Sequence, residues 1–512
     1  MSLKRYLKHR LGDVRRFLSG NYIRKYKENK IMISKFSVEC FRCFKECQTL
    51  EVAIPDHEYN GSGLTYLVGK NNAGKTTTLE GMHCQDNSTH SQYSRLRSSD
   101  IIDDRSSFTY FDERDNVVQK LTQIRPKSYS LKNVAKGDRA EDFSSHLPVF
   151  IPSRRYWSSR TNGDIQDINA IRNQTYESAL RQTPDNYGSH SGDVASLFYY
   201  IEHDDSMYEK FLENMRIVFP SFESFTLVNE DYASVSYTTK DGITHKTDFL
   251  GDGVSSVMRI IATIVAHPDR LIVIDEPELS LHPEAQKNLL HVLASFAKDM
   301  QILISTHSAQ MISWEYFKNG AKINRVTKVP KIGSIIRTLS DYSVYESLLN
   351  DSSWNQPYAL DVVSKEIFFN DDILFLEGQD DVGLLRNIGK LAPHINLFGY
   401  GVRGFCNFKF ALKLAKDLGI QRAGVILDKG NDEDEELIKL SRDYSPDYLV
   451  AQWDREDIRD KAAYYPADAN GAPDTAHMKK AKFGYFTEHG KFKSNDYGDF
   501  YNKIAMVNEY FK

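Results

Sequence analysis

The residues best suited to bind a phosphorylated ligand lie at 69–76, in the sequence GKNNAGKT. A short apolar run precedes this stretch and a predicted helix follows it, which is the context of a phosphate-binding loop. Glycines let backbone N–H groups approach phosphate oxygens, Lys75 reaches the β and γ phosphates, and the Thr76 hydroxyl suits Mg²⁺. The predicted nucleotide ligands are Gly69, Asn71, Asn72, Ala73, Gly74, Lys75, Thr76 and Thr77.

Two later apolar strands end in polar residues suited to nucleotide hydrolysis. LIVIDEPELSLHP places Asp275 and Glu276 at one strand end. Asp275 suits Mg²⁺, directly or through water, and Glu276 suits orienting the attacking water. ILISTHS places His307 at the next strand end, where it can sense the γ phosphate. Strand-terminal polar residues are common one at a time, but three in this order behind a phosphate-binding loop predict ATP hydrolysis.

A second candidate site follows the apolar run of ILFLEGQDD, which ends in Glu377. A glutamate at a strand end can bind Mg²⁺ or act as a general base, and Asp381, four residues on, can hold the same ion. The alternative is a capped helix, because aspartate is also favoured at helix N-termini. This motif alone does not decide between them.

A similar choice arises at residues 424–436, GVILDKGNDEDEE. Four apolar residues lead into Asp428 and then into a run of acidic residues. Asp428 is either a metal-binding carboxylate at the tip of a buried strand or part of an acidic surface turn.

Length and composition predict a multidomain protein. The chain has 512 residues, 41% of them hydrophobic and 26% charged, and a net charge of -5. Single domains usually hold about 50–250 residues, so two or three are expected. The mild charge neither supports nor excludes nucleic-acid binding. The sequence has no apolar run long enough for a signal peptide or a membrane span, so we expect a cytoplasmic protein without a membrane partner.

Residues 1–30 are strongly basic, with ten Lys and Arg against Asp13 and Glu28. Apolar residues recur at helical spacing, so a helix here would be amphipathic. One hypothesis is a contact with nucleic acid or another anionic surface. The other is a docking helix whose solvated face is basic. The apolar positions are Leu3, Leu7, Leu11, Val14 and Leu18.

Strand and helix patterns predict an α/β fold. Residues 31–53 alternate like strands, and LIVIDEP and QILIST are apolar enough to be central strands of a parallel sheet. INRVTKVPKIGSIIRTL resembles a β-hairpin, and a new strand–helix series begins near residue 365. The predicted units are 1–30, a basic extension; 31–345, the nucleotide-binding domain with a helical insertion at about 155–220; 346–364, a linker; and 365–512, a second domain.

The nucleotide-site motifs resemble the ATPase domains of the ABC class, with FLGDGVSSVMRI as the signature segment. In that class the signature of one subunit caps ATP held by the other, so the resemblance implies a head-to-tail homodimer. Gly251 and Gly253 would contact that ATP, and the insertion would help dimerisation. The segment departs from the usual Leu-Ser-Gly-Gly-Gln, which puts the strength of ATP-driven closure in question.

From residue 365 the chain resembles a Toprim domain, a Rossmann-like nuclease fold. KEIFFNDDILFLEGQDD, LFGYGVRGFCNF and GVILDKG carry the resemblance. An ABC-type ATPase followed by Toprim is the layout of the OLD (overcoming lysogenization defect) family of ATP-dependent endonucleases, of the kind found in Gabija and retron-associated antiphage systems. FRCF and FIPSRR extend the resemblance, which runs from about residue 31 to the end.

Carried over by position, the resemblance makes Glu377 the Toprim glutamate, Asp381 its partner and Asp428 the first aspartate of Asp-x-Asp. Position 430 is glycine, so Asp432 or Asp434 would have to replace the second aspartate. A further metal carboxylate is expected from QWDREDIRDKAAYYP, with Glu456 first and Asp457 next. Lys480 and Lys482 are candidates for stabilising transition-state charge. A solvated charged face is the alternative for these downstream residues.

The resemblance implies a DNA endonuclease of antiphage defence, controlled by ATP on a homodimer or dimer of dimers. Mg²⁺ would serve both sites, with Mn²⁺ an option at the second, and a partner protein or noncoding RNA or DNA particle would complete the complex. The rival hypothesis is an ATPase sensor or scaffold whose Toprim domain does not cleave and regulates a partner effector. A repair ATPase of the RecF kind would leave the second domain unexplained.

Overall fold

The computed structural model describes residues 31–83, 105–124, 128–133, 148–153, 192–229, 233–246, 252–349, 362–388, 390–462, 480–481, 484–487, 489–493 and 497–512. The basic segment 1–30, Gly251, Lys482 and the first part of the predicted insertion therefore lie outside the described residues. Within the described part, no helix combines the length and apolar character needed to cross a membrane.

The described strands come in consecutive runs in the first half of the chain and mostly alternate with helices from residue 252 onward. The strands are β1 Ile33–Glu39, β2 Gln48–Glu51, β3 Leu64–Val68, β4 Arg105–Asp112, β5 Val117–Ile124, β6 Ser128–Asn133, β7 Val149–Ile151, β8 Phe222–Asn229, β9 Ala233–Thr239, β10 Thr244–Lys246, β11 Ile272–Asp275, β12 Ile302–Ser305, β13 Lys322–Val329, β14 Gly333–Leu339, β15 Asp372–Leu376, β16 Asn396–Leu397, β17 Arg422–Leu427, β18 Leu449–Gln452, β19 Lys461–Ala462 and β20 Lys480–Ala481.

The α-helices are α1 Lys75–His83, α2 Gly192–Glu202, α3 Asp205–Val218, α4 Asp252–Ala266, α5 Pro283–Phe296, α6 Trp314–Lys318, α7 Glu346–Leu349, α8 Val362–Lys365, α9 Gln379–Ile388, α10 Phe408–Asp417, α11 Asn431–Tyr444 and α12 Tyr497–Tyr510. Short 3-10 turns lie at Ala309–Met311, Tyr342–Tyr345, Glu366–Phe369 and Phe405–Asn407. Helices α2 and α3 fall in the last part of the predicted insertion, and the insertion as a unit stays a prediction.

A six-stranded sheet in the order β14-β13-β3-β12-β11-β7 carries the nucleotide-site motifs. Its strands are parallel except for β14, which forms the predicted hairpin with β13. Every residue of β3, β11 and β12 is buried, as expected for central strands whose apolar side chains meet helices on both faces. Because parallel strands end at the same edge, three motifs distant in sequence meet there.

Helix α4 shows how the sequence covers this sheet. Val257, Ile260, Ile261 and Ile264 are all buried. Their spacing of three, one and three places them on one stripe of a helix, and this stripe lies in the same apolar cluster as Ile272 and Ile274 of β11. Its burial stabilises the fold by removing apolar surface from water.

A second, four-stranded sheet is parallel throughout, in the order β16-β15-β17-β18. Side chains of β15 and β17 join the same apolar cluster as those of the six-stranded sheet, for example Phe375 and Val425 with Ile323. The six-stranded and four-stranded sheets therefore share a continuous apolar core. The unit boundaries at 31, 346 and 365 stay predictions.

The remaining sheets are antiparallel. One has the order β2-β1-β4-β5-β6, another β10-β9-β8, and β19 pairs with β20. The alternating stretch at 31–53 supplies β1 and β2, as predicted.

Candidate functional sites

The phosphate-binding loop leaves the end of β3 through Gly69. Its φ is +139°, and a Cβ at this position would lie 2.2 Å from the carbonyl oxygen of Val326 on the neighbouring strand. A side chain would be strained and would also collide with backbone, so glycine is required here. The next residues turn with Asn72 at a φ of +60° and lead through Ala73 and Gly74 into α1.

Lys75 lies folded over its own loop. Its Nζ donates hydrogen bonds to the carbonyl oxygens of Gly69 at 2.8 Å and Lys70 at 3.1 Å. Burial lowers the pKa of Lys75 to about 8, against the opposing charges of Glu276, Asp275 and Glu278. The ammonium is thus held over the loop, in position to move onto a phosphate.

Asp275 and Thr76 meet across the loop, as a shared Mg²⁺ site requires. Thr76 Oγ1 donates to Asp275 Oδ2 at 3.3 Å. The hydroxyl of Ser305 donates to Asp275 Oδ1 and orients the carboxylate from β12. The register of β11 and β12 explains this contact, because Asp275 and Ser305 are direct neighbours.

Glu276 and His307 face each other at the ends of β11 and β12. His307 Nε2 lies 3.4 Å from Glu276 Oε1, and His307 Nδ1 lies 3.4 Å from Lys75 Nζ. Burial, and then the Lys75 charge, lowers the pKa of His307 to about 4. The imidazole is therefore neutral near pH 7, and a proton on Nε2 lets it donate to Glu276 while Nδ1 accepts from Lys75.

Sequence reasoning missed Glu278, which lies two residues beyond Glu276. Its Oε1 accepts hydrogen bonds from the His307 backbone N–H and the Thr306 hydroxyl, each at 2.7 Å. The sequence DEPE shows Glu278 as a further acidic residue near the strand end. It does not show that Glu278 accepts a hydrogen bond from the backbone after the next strand. Glu278 fixes the backbone that carries His307.

The expected signature segment is described only in part. Gly253 lies buried in the first turn of α4, and a Cβ there would be 2.6 Å from the Ser280 carbonyl oxygen. Asn71 and Thr77 lie in the loop and in α1, the former exposed. The predicted role of Gly253 and Gly251 in a partner's ATP stays a prediction.

Glu377 and Asp428 lie at one edge of the four-stranded sheet. Strands β15 and β17 are adjacent and parallel, with Leu376 opposite Ile426, so each acid follows directly after the end of its strand. Glu377 Oε2 and Asp428 Oδ1 are both buried oxygens. The register therefore places two acidic residues, about 50 residues apart in sequence, at the same edge of the sheet, with Asp428 one residue beyond the position opposite Glu377.

The loop after β16 holds the Glu377 backbone. The Gly404 N–H donates to the Glu377 carbonyl oxygen at 3.3 Å, and the Val402 N–H donates to that of Leu376 at 2.9 Å. Gly401 has a φ of +99°, and a Cβ there would lie 2.8 Å from the carbonyl carbon of Gly378. Glycine is therefore required at 401 for the loop backbone to approach the backbone of Gly378 this closely.

Asp381 is buried in the first turn of α9, and its Oδ2 accepts a hydrogen bond from the Gly378 N–H at 2.8 Å. This is the geometry of the helix-capping alternative. The ion pair of Asp380 with Arg459 Nη2, at 2.6 Å, ties the same turn to the segment after β18.

The acidic run after Asp428 forms the first turn of α11, which holds Asp432, Glu433 and Asp434. Negative charge is favourable at a helix N-terminus, so these residues have a structural role whether or not they bind metal. Asp432 is exposed, whereas Asp434 Oδ1 accepts from Gln452 Nε2 at 2.6 Å. The same amide donates to the Asp428 carbonyl oxygen at 3.0 Å.

Gly430 precedes this helix in extended conformation. A Cβ built at Gly430 would lie 2.1 Å from Glu433 Oε2. The Glu433 carboxylate thus fills the space in which an aspartate side chain at position 430 would begin.

The downstream candidates are more dispersed. Glu456 is exposed in the turn after β18, and Asp457 Oδ1 accepts from the Arg459 N–H at 3.3 Å. Lys480 begins β20, opposite Ala462. The structure does not describe the Lys480 side chain.

Carboxylate oxygens are the donors that Mg²⁺ and Mn²⁺ prefer, so Glu377 and Asp428 fit two ligands of such an ion. Among the described residues, however, no three or more His, Cys, Asp or Glu side chains are grouped closely enough to hold a metal. The expected set of Glu377, Asp381, Asp428 and Glu456 is therefore not gathered in this structure.

The sheet, the phosphate-binding loop and the strand-end residues define a P-loop ATPase domain within a mixed α/β protein. Residues 64–313 match the family described as "AAA domain, putative AbiEii toxin, Type IV TA system". That match spans the loop, Asp275, Glu276 and His307.

Three relatives extend the comparison. The chain is 31% identical over 123 residues to the Old nuclease of Escherichia phage P2, covering 23% of this chain and 20% of that protein. It is 24% identical over 204 residues to endonuclease GajA of Bacillus cereus (strain HuB5-5), covering 34% and 29%. It is 22% identical over 282 residues to Septu protein PtuA of Bacillus thuringiensis, covering 49% and 67%. These matches confirm the resemblance to OLD-family ATPase–nucleases of antiphage systems.

The chain spans less than a third of the length of the first two relatives. Among solved structures, the Smc head bound to the C-winged helix domain of ScpA matches with a TM-score of 0.41 and 14% identity, covering 60% of this chain and 98% of that one. The Smc head domain of Thermotoga maritima matches with a TM-score of 0.35 and 12% identity, covering 61% and 100%.

Proposed function

We propose that this protein is an ATP-binding and ATP-hydrolysing, metal-dependent DNA endonuclease of antiphage defence, in which the ATPase controls the nuclease. The observation that carries the nuclease half is the position of Glu377 and Asp428 directly after the ends of adjacent parallel strands, with a buried oxygen on each. The names of the relatives, Old nuclease and endonuclease GajA, support the same assignment.

In the ATPase half, each strand-end residue has one task. Lys75 moves from its loop carbonyls onto the phosphates, and Thr76 and Asp275 hold Mg²⁺. Glu276 orients the attacking water, and neutral His307 holds Glu276 through Nε2–H while its Nδ1 faces the phosphate side. The short distances among these residues support the assignment.

In the nuclease half, Glu377 and Asp428 would hold a divalent cation, Mg²⁺ or Mn²⁺. Such an ion, when bound, lowers the pKa of coordinated water and neutralises charge on the scissile phosphate. The chain's own contribution is to fix the backbone that carries the two carboxylates: the loop through Gly401 holds the Glu377 backbone, and Gln452 donates to the Asp428 carbonyl oxygen.

One observation favours a second candidate function. No group of three metal-binding side chains is gathered among the described residues, and position 430 lacks the usual aspartate. This supports an ATPase sensor or scaffold whose second domain does not cleave and instead regulates a partner effector.

The proposed assembly is a homodimer or dimer of dimers that acts on DNA, with a partner protein or a noncoding RNA or DNA particle completing the defence system. Residues 1–30 are the proposed contact for nucleic acid because of their ten basic residues. Binding through phosphates would weaken with added salt.

Plasmid nicking separates the two candidates. Supercoiled plasmid is incubated with Mg²⁺ or Mn²⁺, with and without ATP, and the native chain is compared with Glu377→Ala and Lys75→Ala. We expect nicking by the native chain, none by Glu377→Ala, and loss of the ATP response in Lys75→Ala. Absence of nicking under every condition would favour the scaffold, and cleavage that persists in Glu377→Ala would place the nuclease elsewhere.

A further inference from the structure

An ion pair links the phosphate-binding loop to the second sheet. Lys70, the residue after Gly69, places its Nζ 2.7 Å from Asp371 Oδ2. Asp371 immediately precedes β15, the strand that ends at Glu377. The nucleotide loop and the strand that carries Glu377 are thus in direct electrostatic contact.

Asp371 has a second cation on its other oxygen. Arg325 Nη2 lies 2.6 Å from Asp371 Oδ1, and the Arg325 side chain is 1% exposed. Arg325 also donates to the carbonyl oxygens of Phe368, Asn370 and Leu418. This arginine is therefore fixed, because moving it would leave several buried polar groups without partners.

Strand register explains why the Asp371 carboxylate contacts both Lys70 and Arg325. Arg325 on β13 lies opposite Val68, the last residue of β3. Lys70 follows two residues later and reaches the same point from the loop. Although burial acts to raise it, the hydrogen bond from Lys70 and the charge of Arg325 hold the pKa of Asp371 below its ordinary value.

The two cations differ in their freedom to move. The Lys70 side chain is 50% exposed, whereas that of Arg325 is almost fully buried. A nucleotide bound in the loop brings several negative charges close to Lys70, and these attract its ammonium in competition with Asp371. Arg325 cannot follow, so only the Lys70 contact is exchangeable.

We propose that Asp371 competes with nucleotide phosphates for Lys70, so that nucleotide binding releases the start of β15 from the phosphate-binding loop. Asp371 is a positioning residue that acts through Lys70. The inference rests on the nucleotide binding of the proposed function but not on the nuclease.

Linkage fixes the direction of the effect. If phosphate binding must break the Lys70–Asp371 pair, removing Asp371's charge tightens nucleotide binding. A partly exposed ion pair has a value of about 0.2–1 kcal/mol, which corresponds to a change of about one and a half to fivefold in affinity.

A double-mutant cycle tests the proposal. The dissociation constant of a fluorescent, non-hydrolysable ATP analogue with Mg²⁺ is measured, without DNA, for the native chain, Asp371→Asn, Lys70→Ala and the double variant. We expect Asp371→Asn to tighten binding about one and a half to fivefold with Lys70 present and by a clearly smaller factor with Ala at 70. Equal effects in both backgrounds, or no effect in either, would overturn the proposal.

Arg422→Gln is the matched control. It breaks the 2.5 Å ion pair with Asp372, the first residue of the same strand, without touching the loop. We expect nucleotide affinity equal to that of the native chain. A change as large as that in Asp371→Asn would show a general effect of loosening β15 and would also overturn the proposal.

Hydrogen exchange provides a readout that does not depend on the Asp371 variant folding. Amides at 371–376 are followed with and without the analogue, and we expect faster exchange on binding in the native chain and no change in Lys70→Ala. Unchanged or slower exchange in the native chain contradicts the release. If the native chain binds no nucleotide, the proposed ATPase function is wrong. If it binds nucleotide but does not nick plasmid, only the proposed nuclease function is wrong.

Discussion

Glu278 Oε1 lies 2.7 Å from the backbone nitrogen of His307 and accepts its hydrogen bond. The second oxygen, Oε2, is buried and has no hydrogen-bond partner among the described residues. Burial raises the pKa of Glu278, and the charge of Glu276 adds to this. Burial opposes the charged form of this carboxyl, and the hydrogen bonds from Thr306 and His307 offset that cost.

We expect Glu278→Ala to lower kcat for ATP hydrolysis more than it changes KM, because His307 and its contact with Glu276 lose their support. The buried donors left behind cost about 1–3 kcal/mol of stability. Steady-state ATPase kinetics and thermal unfolding measure both effects. Glu284→Gln, an exposed acid in the first turn of α5, is the control and should match the native chain. A larger effect on KM than on kcat would contradict the assignment.

Nucleotide affinity should fall as pH rises through about 8. Burial lowers the pKa of Lys75 to about 8, so its ammonium is mostly protonated at neutral pH and loses its proton above that value. A neutral amine attracts phosphate less, so the dissociation constant of the ATP analogue should increase up to about tenfold per pH unit beyond the transition. Lys75→Arg stays charged and should show no such step in the same titration. A flat profile in the native chain would refute the prediction.

Gly401→Ala should disturb Glu377 without affecting the ATPase. Its Cβ would lie 2.8 Å from Gly378 backbone, and its φ of +99° is strained for alanine. Gly404→Ala is a close control, because its φ is +104° but nothing lies within 4 Å of the added Cβ. Strain alone costs about 1–3 kcal/mol in either variant, and the overlap adds to it only at 401. Thermal unfolding and plasmid nicking should therefore show a larger loss in Gly401→Ala, and equal losses would contradict this account.

Gly430→Asp tests whether position 430 limits metal binding. The new side chain meets the Glu433 carboxylate, since the Cβ alone would lie 2.1 Å from Glu433 Oε2. Two carboxylates in one place repel each other unless a cation joins them, so Mn²⁺ should bind more tightly. Manganese binding followed by electron paramagnetic resonance measures this, with Ile438→Asp on an exposed position of α11 as the charge-matched control. Equal affinities in the two variants would count against a metal at this strand end.

The positions of polar residues at the ends of apolar strands were predictable from the sequence. Apolar runs ending in Asp275, Glu276, His307, Glu377 and Asp428 marked strand ends, and parallel strands deliver such ends to one edge. The ATPase assignment and the OLD-family resemblance followed from that order and are confirmed by the matches to relatives.

Contacts made by flexible side chains across the fold were not predictable. Lys70 and Asp371 are joined only by strand register and packing, and neither residue type is unusual in its own segment. The sequence left two interpretations of the acidic run at 431–436, a surface turn and a metal site. An acidic helix start and a cluster of metal ligands have the same composition, so the sequence could not separate them. The helical stripe of α11, Leu437, Leu440 and Tyr444, lies in its second half, so the acidic run itself carries no periodic apolar signal.

Strand β15 has five residues, starting just after Asp371 and ending just before Glu377. Such a strand is about 17 Å long and cannot lengthen, because it is already extended. It is paired along its length with β17 and at Ile373 and Leu374 with β16. The strand therefore sets a fixed spacing between Asp371, beside the phosphate-binding loop, and Glu377. In the proposed release of Lys70, the contacts at the Asp371 end of β15 therefore change while the distance along the strand to Glu377 stays constant.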